Sequence, residues 1–163
     1  MYIRHILIVI VLFFAGKLQA QDSSSVGGVL AGNWKITRVE TKTYSQQDRR
    51  LLQEKVLTGA DAIRSIRGFV PLRIVFQGHD CRIEHNYGVE SGIYATDTHG
   101  HLWYKKKEKE PLSPDVVRLG LPWNYNIGAT NVLAIEMPPS YYNENGTNTP
   151  VKLVFTCYYE MAN

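Results

Sequence analysis

Four of the five histidines lie close to carboxylates in the middle of the chain, and imidazole with carboxylate is a combination that can bind a metal ion. These residues are His79, His85, His99 and His101, with Asp80, Glu84 and Asp97 beside them. A zinc site needs three or four ligands that converge from a supported frame, with further groups that orient them. Histidines in turns are more often solvated than bound to metal. We therefore predict no metal site and no cofactor.

Catalytic chemistry has no recognisable motif in this chain. The sequence contains no nucleophile elbow, zincin helix or phosphate-binding loop, and no paired carboxylates at a strand end. A small enzyme with scattered catalytic residues is the alternative. The prediction is that the protein is not an enzyme and has no catalytic residues.

Residues 1–20 have the pattern of an export signal. Arg4 and His5 precede an apolar stretch at residues 6–14, and Ala20 supplies a small residue at a cleavage point. This stretch is about half of the ~20 residues needed to cross a bilayer, and no second long apolar run follows. We expect a secreted protein, or a periplasmic one in a bacterium, with no membrane span. Residues 21–163 are then the mature chain, a length that suits one domain.

Charge gives little support for nucleic-acid binding. The formal charge of +3 includes Arg4 and Lys17, which leave with the export signal. Residues 105–110 form a run of mixed charges that we interpret as a solvated loop.

Asn145-Gly146-Thr147 is an acceptor triplet for N-glycosylation, although Asn-Gly is also ordinary turn chemistry.

The two cysteines, Cys81 and Cys157, allow a single pairing. In an exported chain, pairing is the default, and a loop of this length would stabilise the fold by roughly 4 kcal/mol. No neighbouring pattern activates a thiolate nucleophile. The sequence predicts a disulfide between Cys81 and Cys157, with two buried free thiols as the alternative.

Alternating apolar and polar residues predict a series of short strands that would position these groups. Trp34 and Ile36 open the first strand, and further strands are predicted at residues 72–76, 81–85, 92–95, 102–105, 115–119, 131–137 and 151–159. Pro138-Pro139 must interrupt any sheet, because proline cannot donate a ladder hydrogen bond. Residues 45–68 instead show near-helical spacing of apolar residues, with Ser45 as a cap. The prediction is an antiparallel barrel with a helical insert after the first strand.

Gly32-Asn33-Trp34 resembles the Gly-x-Trp that opens the lipocalin barrel. The resemblance implies a calycin-like up-and-down barrel in which Trp34 closes the base beneath a ligand cavity. Residues 128–135 are similar to the family's turn between its sixth and seventh strands, with Asn131 in place of the usual Asp. The family's Arg near the last strand has no counterpart, and Lys152 is the nearest basic residue.

Fatty-acid-binding proteins are a competing resemblance. They also begin with Gly-x-Trp-Lys and insert a helical lid after the first strand, as residues 45–68 would. In their last strand an Arg and a Tyr hold the fatty-acid carboxylate. Here Cys157 stands where the Arg is expected, and Tyr159 matches the Tyr.

These resemblances imply a secreted carrier that transports a small hydrophobic or amphipathic ligand inside the barrel. The predicted ligand-binding residues are Trp34, Phe76, Tyr94, Trp103, Leu133, Phe155 and Tyr159. One sequence does not determine which strand positions face inward. The alternative is an extracellular interaction or structural protein, with a filled barrel that binds a protein partner through residues 105–110 or 138–150.

Overall fold

The computed structural model describes residues 28–66, 68–108 and 121–162. The predicted export signal at residues 1–20, the predicted strand at 115–119 and part of the charged run at 105–110 lie outside these ranges. Within them, no helix is long and apolar enough to cross a membrane.

The described chain is built mainly from antiparallel strands. In chain order the elements are β1 (Gly32–Ser45), β2 (Leu51–Thr58), α1 (Ala60–Arg64), β3 (Pro71–Gln77), β4 (Asp80–His85), β5 (Gly88–Thr96), β6 (His101–Lys106), β7 (Trp123–Ile127), β8 (Leu133–Glu136), β9 (Ser140–Asn143) and β10 (Pro150–Met161). Tight turns join several neighbours, including β3 with β4 and β4 with β5.

Eight strands close into an antiparallel barrel, in the order β1, β3, β4, β5, β6, β7, β8 and β10, with β10 paired back to β1. Closure leaves these strands without the unpaired backbone groups of a sheet edge. The predicted fold class is therefore confirmed.

Both β1 and β10 are longer than the barrel wall. Gly32 to Lys35 of β1 pair with β3, whereas Arg38 to Tyr44 pair with β2. Between these two parts, at Ile36 to Arg38, the register of β1 with β10 is irregular. Similarly, β10 pairs with β8 at Thr156 to Tyr159 and with β9 at Pro150 to Leu153. The outer halves of β1 and β10, flanked by β2 and β9, form a four-stranded sheet beyond the barrel, here called the extension.

The predicted helical insert at residues 45–68 is mostly wrong. Ser45 ends β1, and its hydroxyl accepts hydrogen bonds from the Gln47 and Asp48 amides in a turn that leads into β2. Helix is confined to the five residues of α1. Leu52 and Val56 suggested a helix because they are four residues apart, but residues four apart also share a face of a strand.

The barrel interior is filled by alternate residues of its strands. Trp34 lies opposite Ile74, and Ile74 lies opposite Ile83, in the registers of β1, β3 and β4. On the other side, Leu133 and Ile135 pair with Tyr159 and Cys157. All these side chains are buried and belong to one hydrophobic cluster.

Gly92 allows one of the interior rings to pack. It lies in β5 opposite Lys106 of β6, and a Cβ at this position would overlap the Tyr104 ring and the Lys105 carbonyl oxygen. The Tyr104 ring therefore packs over the β5 backbone at Gly92, where there is no side chain.

The variant Gly92→Ala is expected to lower the free energy of unfolding by about 1–3 kcal/mol, the usual cost of overpacking. Urea denaturation measures this change. Ser91→Ala is the control, because the Ser91 side chain is exposed and its loss should change stability by less than about 0.5 kcal/mol. Equal midpoints for Gly92→Ala and the unmodified protein would contradict the packing of Tyr104 on Gly92.

Candidate functional site

Trp34 lies at the end of the barrel where the described chain enters β1. Its indole N–H donates a hydrogen bond to the Leu30 carbonyl at 2.7 Å, and both residues are buried. A buried indole needs such a partner for its single donor. The arrangement closes this end with an apolar plug.

Most of the predicted ligand-binding residues are packed inside the barrel. The rings of Phe76 and Tyr94 lie 4.6 Å apart, and Leu133 is fully buried. The Tyr159 hydroxyl donates to the Pro71 carbonyl at 2.9 Å, and burial raises its pKa well above the ordinary value. Tyr159 therefore acts as a neutral hydrogen-bond donor within the core.

Trp103 lies on the outer surface of the barrel. Its neighbours in β6, Leu102 and Tyr104, belong to the interior cluster, so strand alternation directs Trp103 outward. There it packs with Ile93 and Ala95 in a separate small cluster.

The predicted disulfide is wrong. Cys81 and Cys157 are both buried and unbonded. They belong to β4 and β10, which β3 and β1 separate in the barrel wall. Three strand spacings amount to about 14 Å along the wall, whereas a disulfide needs Cα atoms roughly 4.4–6.8 Å apart. Burial raises the pKa of the Cys157 thiol to about 12 and also raises that of Cys81, so both stay protonated.

An apolar groove, here called the mouth groove, lies opposite the closed end, between the barrel and the extension. Its volume is about 560 Å³, and it is lined by Gly68, Phe69, Met137, Pro138, Ser140, Tyr142, Leu153 and Phe155. Phe155, one of the predicted ligand-binding residues, packs against the core cluster. Ser140 and Tyr142 are the polar groups of an otherwise apolar lining.

The wall of the mouth groove that contains Phe69 is held by the turn between β4 and β5. The Asn86 amide donates to the carbonyls of Ile66 and Gly68 at 2.9 and 2.8 Å, and its oxygen accepts from the Val70 amide. The Phe69 ring then packs 4.8 Å from His85 and 6.3 Å from Trp123, measured between ring centroids. Phe69 was not predicted, because its position depends on Asn86, which is distant from it in sequence.

A polar cluster lies on the inner wall of β5 and β6, toward the end of the barrel opposite Trp34. Lys106 forms an ion pair with Glu90 at 3.2 Å. The buried Tyr104 hydroxyl has no hydrogen-bond partner among the described residues. Burial is the main reason for the raised pKa of Tyr104, and the nearby Glu90 carboxylate adds to it.

His99 and His101 surround Asp97 at the turn between β5 and β6. The Asp97 carboxylate accepts hydrogen bonds from both histidine amides at 2.9 Å and contacts the His101 ring at 2.7 Å. Desolvation alone would raise the pKa of Asp97, but these hydrogen bonds lower it to about 2. No set of three or more metal-ligating groups converges within the described ranges. The cluster is therefore best explained as a turn stabilised by its carboxylate.

Asn145 is exposed in the turn between β9 and β10. In the same turn, the Thr147 hydroxyl donates to the Glu144 carboxylate at 3.1 Å. The acceptor triplet therefore lies at an accessible hairpin tip.

No protein-family profile, curated protein or solved structure matches this chain.

The stability of the protein is expected to fall between pH 3.8 and about pH 2, in part through Asp97. The folded state lowers its pKa from 3.8 to about 2, so this contribution is complete above pH 3.8 and is lost as the pH falls through the folded value. The variant Asp97→Asn should flatten this part of the stability profile, measured by urea denaturation at each pH. Glu108→Gln, at an exposed position, should leave the slope unchanged. An unaltered slope in Asp97→Asn would rule out this role for the carboxylate.

Proposed function

We propose that the protein is a secreted carrier of the calycin type, and that it binds a small hydrophobic or amphipathic ligand in the mouth groove. The observation that carries the proposal is the lining of this groove, which is mostly apolar and has two polar groups at Ser140 and Tyr142. Ligand sites are typically cavities of about 300–1,000 Å³ with this kind of lining, and a volume of about 560 Å³ falls in that range.

Burial of apolar surface supplies the binding energy in this proposal. Each square ångström of apolar ligand surface removed from water contributes about 25 cal/mol. Phe69 and Tyr142 are 38% and 45% exposed without ligand, so both rings have surface left to cover. Phe155 and Leu153, on β10, would form the floor.

This placement differs from a ligand held deep in the barrel. Trp34, Tyr94 and Tyr159 occupy the interior and are each at most 2% exposed. In the proposal these residues form the packed base, and the ligand lies above them, in the groove between the barrel and the extension.

The same packing favours one alternative, an extracellular interaction protein that uses the barrel as a scaffold. Its partner would contact the loops, including the exposed hairpin tip at Asn145. An absence of small-molecule binding would favour this alternative.

The variant Tyr142→Ala is expected to weaken binding of an amphipathic probe, dansyl-labelled undecanoic acid, about three- to tenfold. The reason is the loss of about 1 kcal/mol of apolar contact. Fluorescence titration measures the dissociation constant. Tyr141→Ala is the matched control, because Tyr141 is exposed and does not line the mouth groove.

A second variant of the lining locates the bound probe. Phe69 lines the mouth groove and is 38% exposed, so Phe69→Ala should weaken the probe as Tyr142→Ala does. Val89→Ala, at an exposed position outside the lining, should not. Saturable binding that neither Tyr142→Ala nor Phe69→Ala affects would place the ligand elsewhere, and no saturable binding would contradict the carrier function.

A further inference from the structure

The face of the extension turned away from the mouth groove carries a row of two aromatic rings with a cation between them. Tyr44 of β1 pairs with Lys152 of β10, which pairs in turn with Tyr141 of β9. Residues directly opposite one another in antiparallel strands project from the same face with Cβ atoms about 5 Å apart. Tyr141 is 63% exposed, so its ring is available for contact.

This row forms part of a cleft of about 670 Å³, here called the outer cleft, together with Gln46, Arg49, Glu136 and Thr156. The turn between β1 and β2 forms one wall. Gln46 fastens this turn to β10, because its amide side chain donates to the Val151 carbonyl at 2.8 Å and its backbone N–H donates to the Pro150 carbonyl. The wall is thus held by hydrogen bonds before any ligand binds.

The charge of the outer cleft is unbalanced. Lys42 lines it but is paired with Glu54 at 3.3 Å. Arg49 and Lys152 form no ion pair within the described ranges, so two positive charges at the cleft have no protein carboxylate as partner. Glu136, hydrogen-bonded by the Asn124 side chain at 3.3 Å, supplies an acceptor at the other side.

These groups match the parts of an acidic sugar. A pyranose ring has an apolar C–H face that can lie against an aromatic ring, and its acidic substituent can accept charge-assisted hydrogen bonds from Arg49 and Lys152. Its hydroxyl groups can donate to Glu136 and exchange hydrogen bonds with Gln46 and Thr156. A ligand with phosphates along its whole length and no hydroxyl donor near Glu136 is disfavoured, because its phosphates would repel the Glu136 carboxylate.

We propose that the outer cleft is a second binding site, for an anionic saccharide unit that bears a carboxylate or a sulfate. The site is independent of the mouth groove, because the two lie on opposite faces of the extension. Tyr141 and Tyr142 are consecutive residues of β9, and alternation directs one to each site.

Isothermal titration of the full protein with three sugar hexamers tests this proposal. A galacturonic acid hexamer presents carboxylates, a heparin hexamer presents mainly sulfates, and a mannose hexamer is neutral. At least one acidic hexamer should bind, with an affinity that falls as salt is added, and the mannose hexamer should not. The acidic hexamer that binds identifies the anion. Equal binding of all three hexamers, or none, would overturn the proposal.

Paired variants assign the binding to the cleft. Lys152→Gln and Tyr141→Ala should each weaken the acidic hexamer about tenfold, as loss of a charge-assisted hydrogen bond or a ring contact would. Arg49→Asn should act similarly, and asparagine tolerates the positive φ of 59° at this position. Lys55→Gln, which removes an exposed lysine of β2 outside the cleft, and Tyr142→Ala should bind as the unmodified protein does.

Thermal unfolding of each variant confirms that it is folded before its affinity is compared. If Lys55→Gln lost as much affinity for the acidic hexamer as Lys152→Gln, the effect would come from overall charge, and the proposed site would be overturned. Tight binding of a single-stranded DNA hexamer would also overturn it, since that result identifies a general polyanion surface.

Discussion

The backbone ladder between β1 and β10 is the interaction on which the remaining structure depends. It runs from Trp34 opposite Met161 to Ser45 opposite Val151, and its register skips only Thr37 of β1. Its inner half joins the two ends of the described chain and closes the barrel. Its outer half continues past the barrel wall and is flanked by β2 and β9. Without this ladder, the barrel would have two open edges, and the two central strands of the extension would no longer pair with each other.

The same ladder places two surfaces of different chemistry back to back. Along β10, Leu153 and Phe155 face the mouth groove, whereas Lys152, Val154 and Thr156 face the outer cleft. The first set is apolar and continues the barrel core, while the second combines a cation, a valine and a threonine hydroxyl. A single strand thus contributes to both sites through strand alternation alone. A ligand on one face need not displace a ligand on the other.

Local pattern predicted most of the strands whose two faces differ in environment. Alternation located most of the barrel strands, from Trp34 and Ile36 in β1 to Phe155 and Tyr159 in β10, because these strands bury one face. It missed β2 and β9, which are edge strands exposed on both faces. It also missed β7, a barrel strand at Trp123–Ile127 whose residues do alternate between more and less buried. The sequence Ser-Tyr-Tyr-Asn of β9 has no alternation to detect, and all four residues are exposed. The spacing in β2 fitted a helix equally well.

Long-range geometry accounts for the remaining errors. A disulfide between Cys81 and Cys157 is the natural expectation for an exported chain, but the positions of β4 and β10 in the wall follow from strand order, which composition does not contain. The mouth groove likewise depends on contacts distant in sequence, such as Asn86 with the carbonyls of Ile66 and Gly68. Phe155 was predicted as a ligand contact from its apolar strand, whereas Phe69 could be located only once the fold was known.

Backbone hydrogen–deuterium exchange, resolved by residue, tests most directly whether the β1–β10 ladder is one continuous unit. Amides of the ladder at residues 38–45 and 151–155 in the extension should be protected to the same degree as those at 34–36 and 156–161 in the barrel. The edge strands β2 and β9 should exchange faster, and the turn at residues 144–149 fastest. Rapid exchange throughout the extension, alongside a protected barrel, would show that the ladder ends at the barrel wall and would contradict both proposed sites.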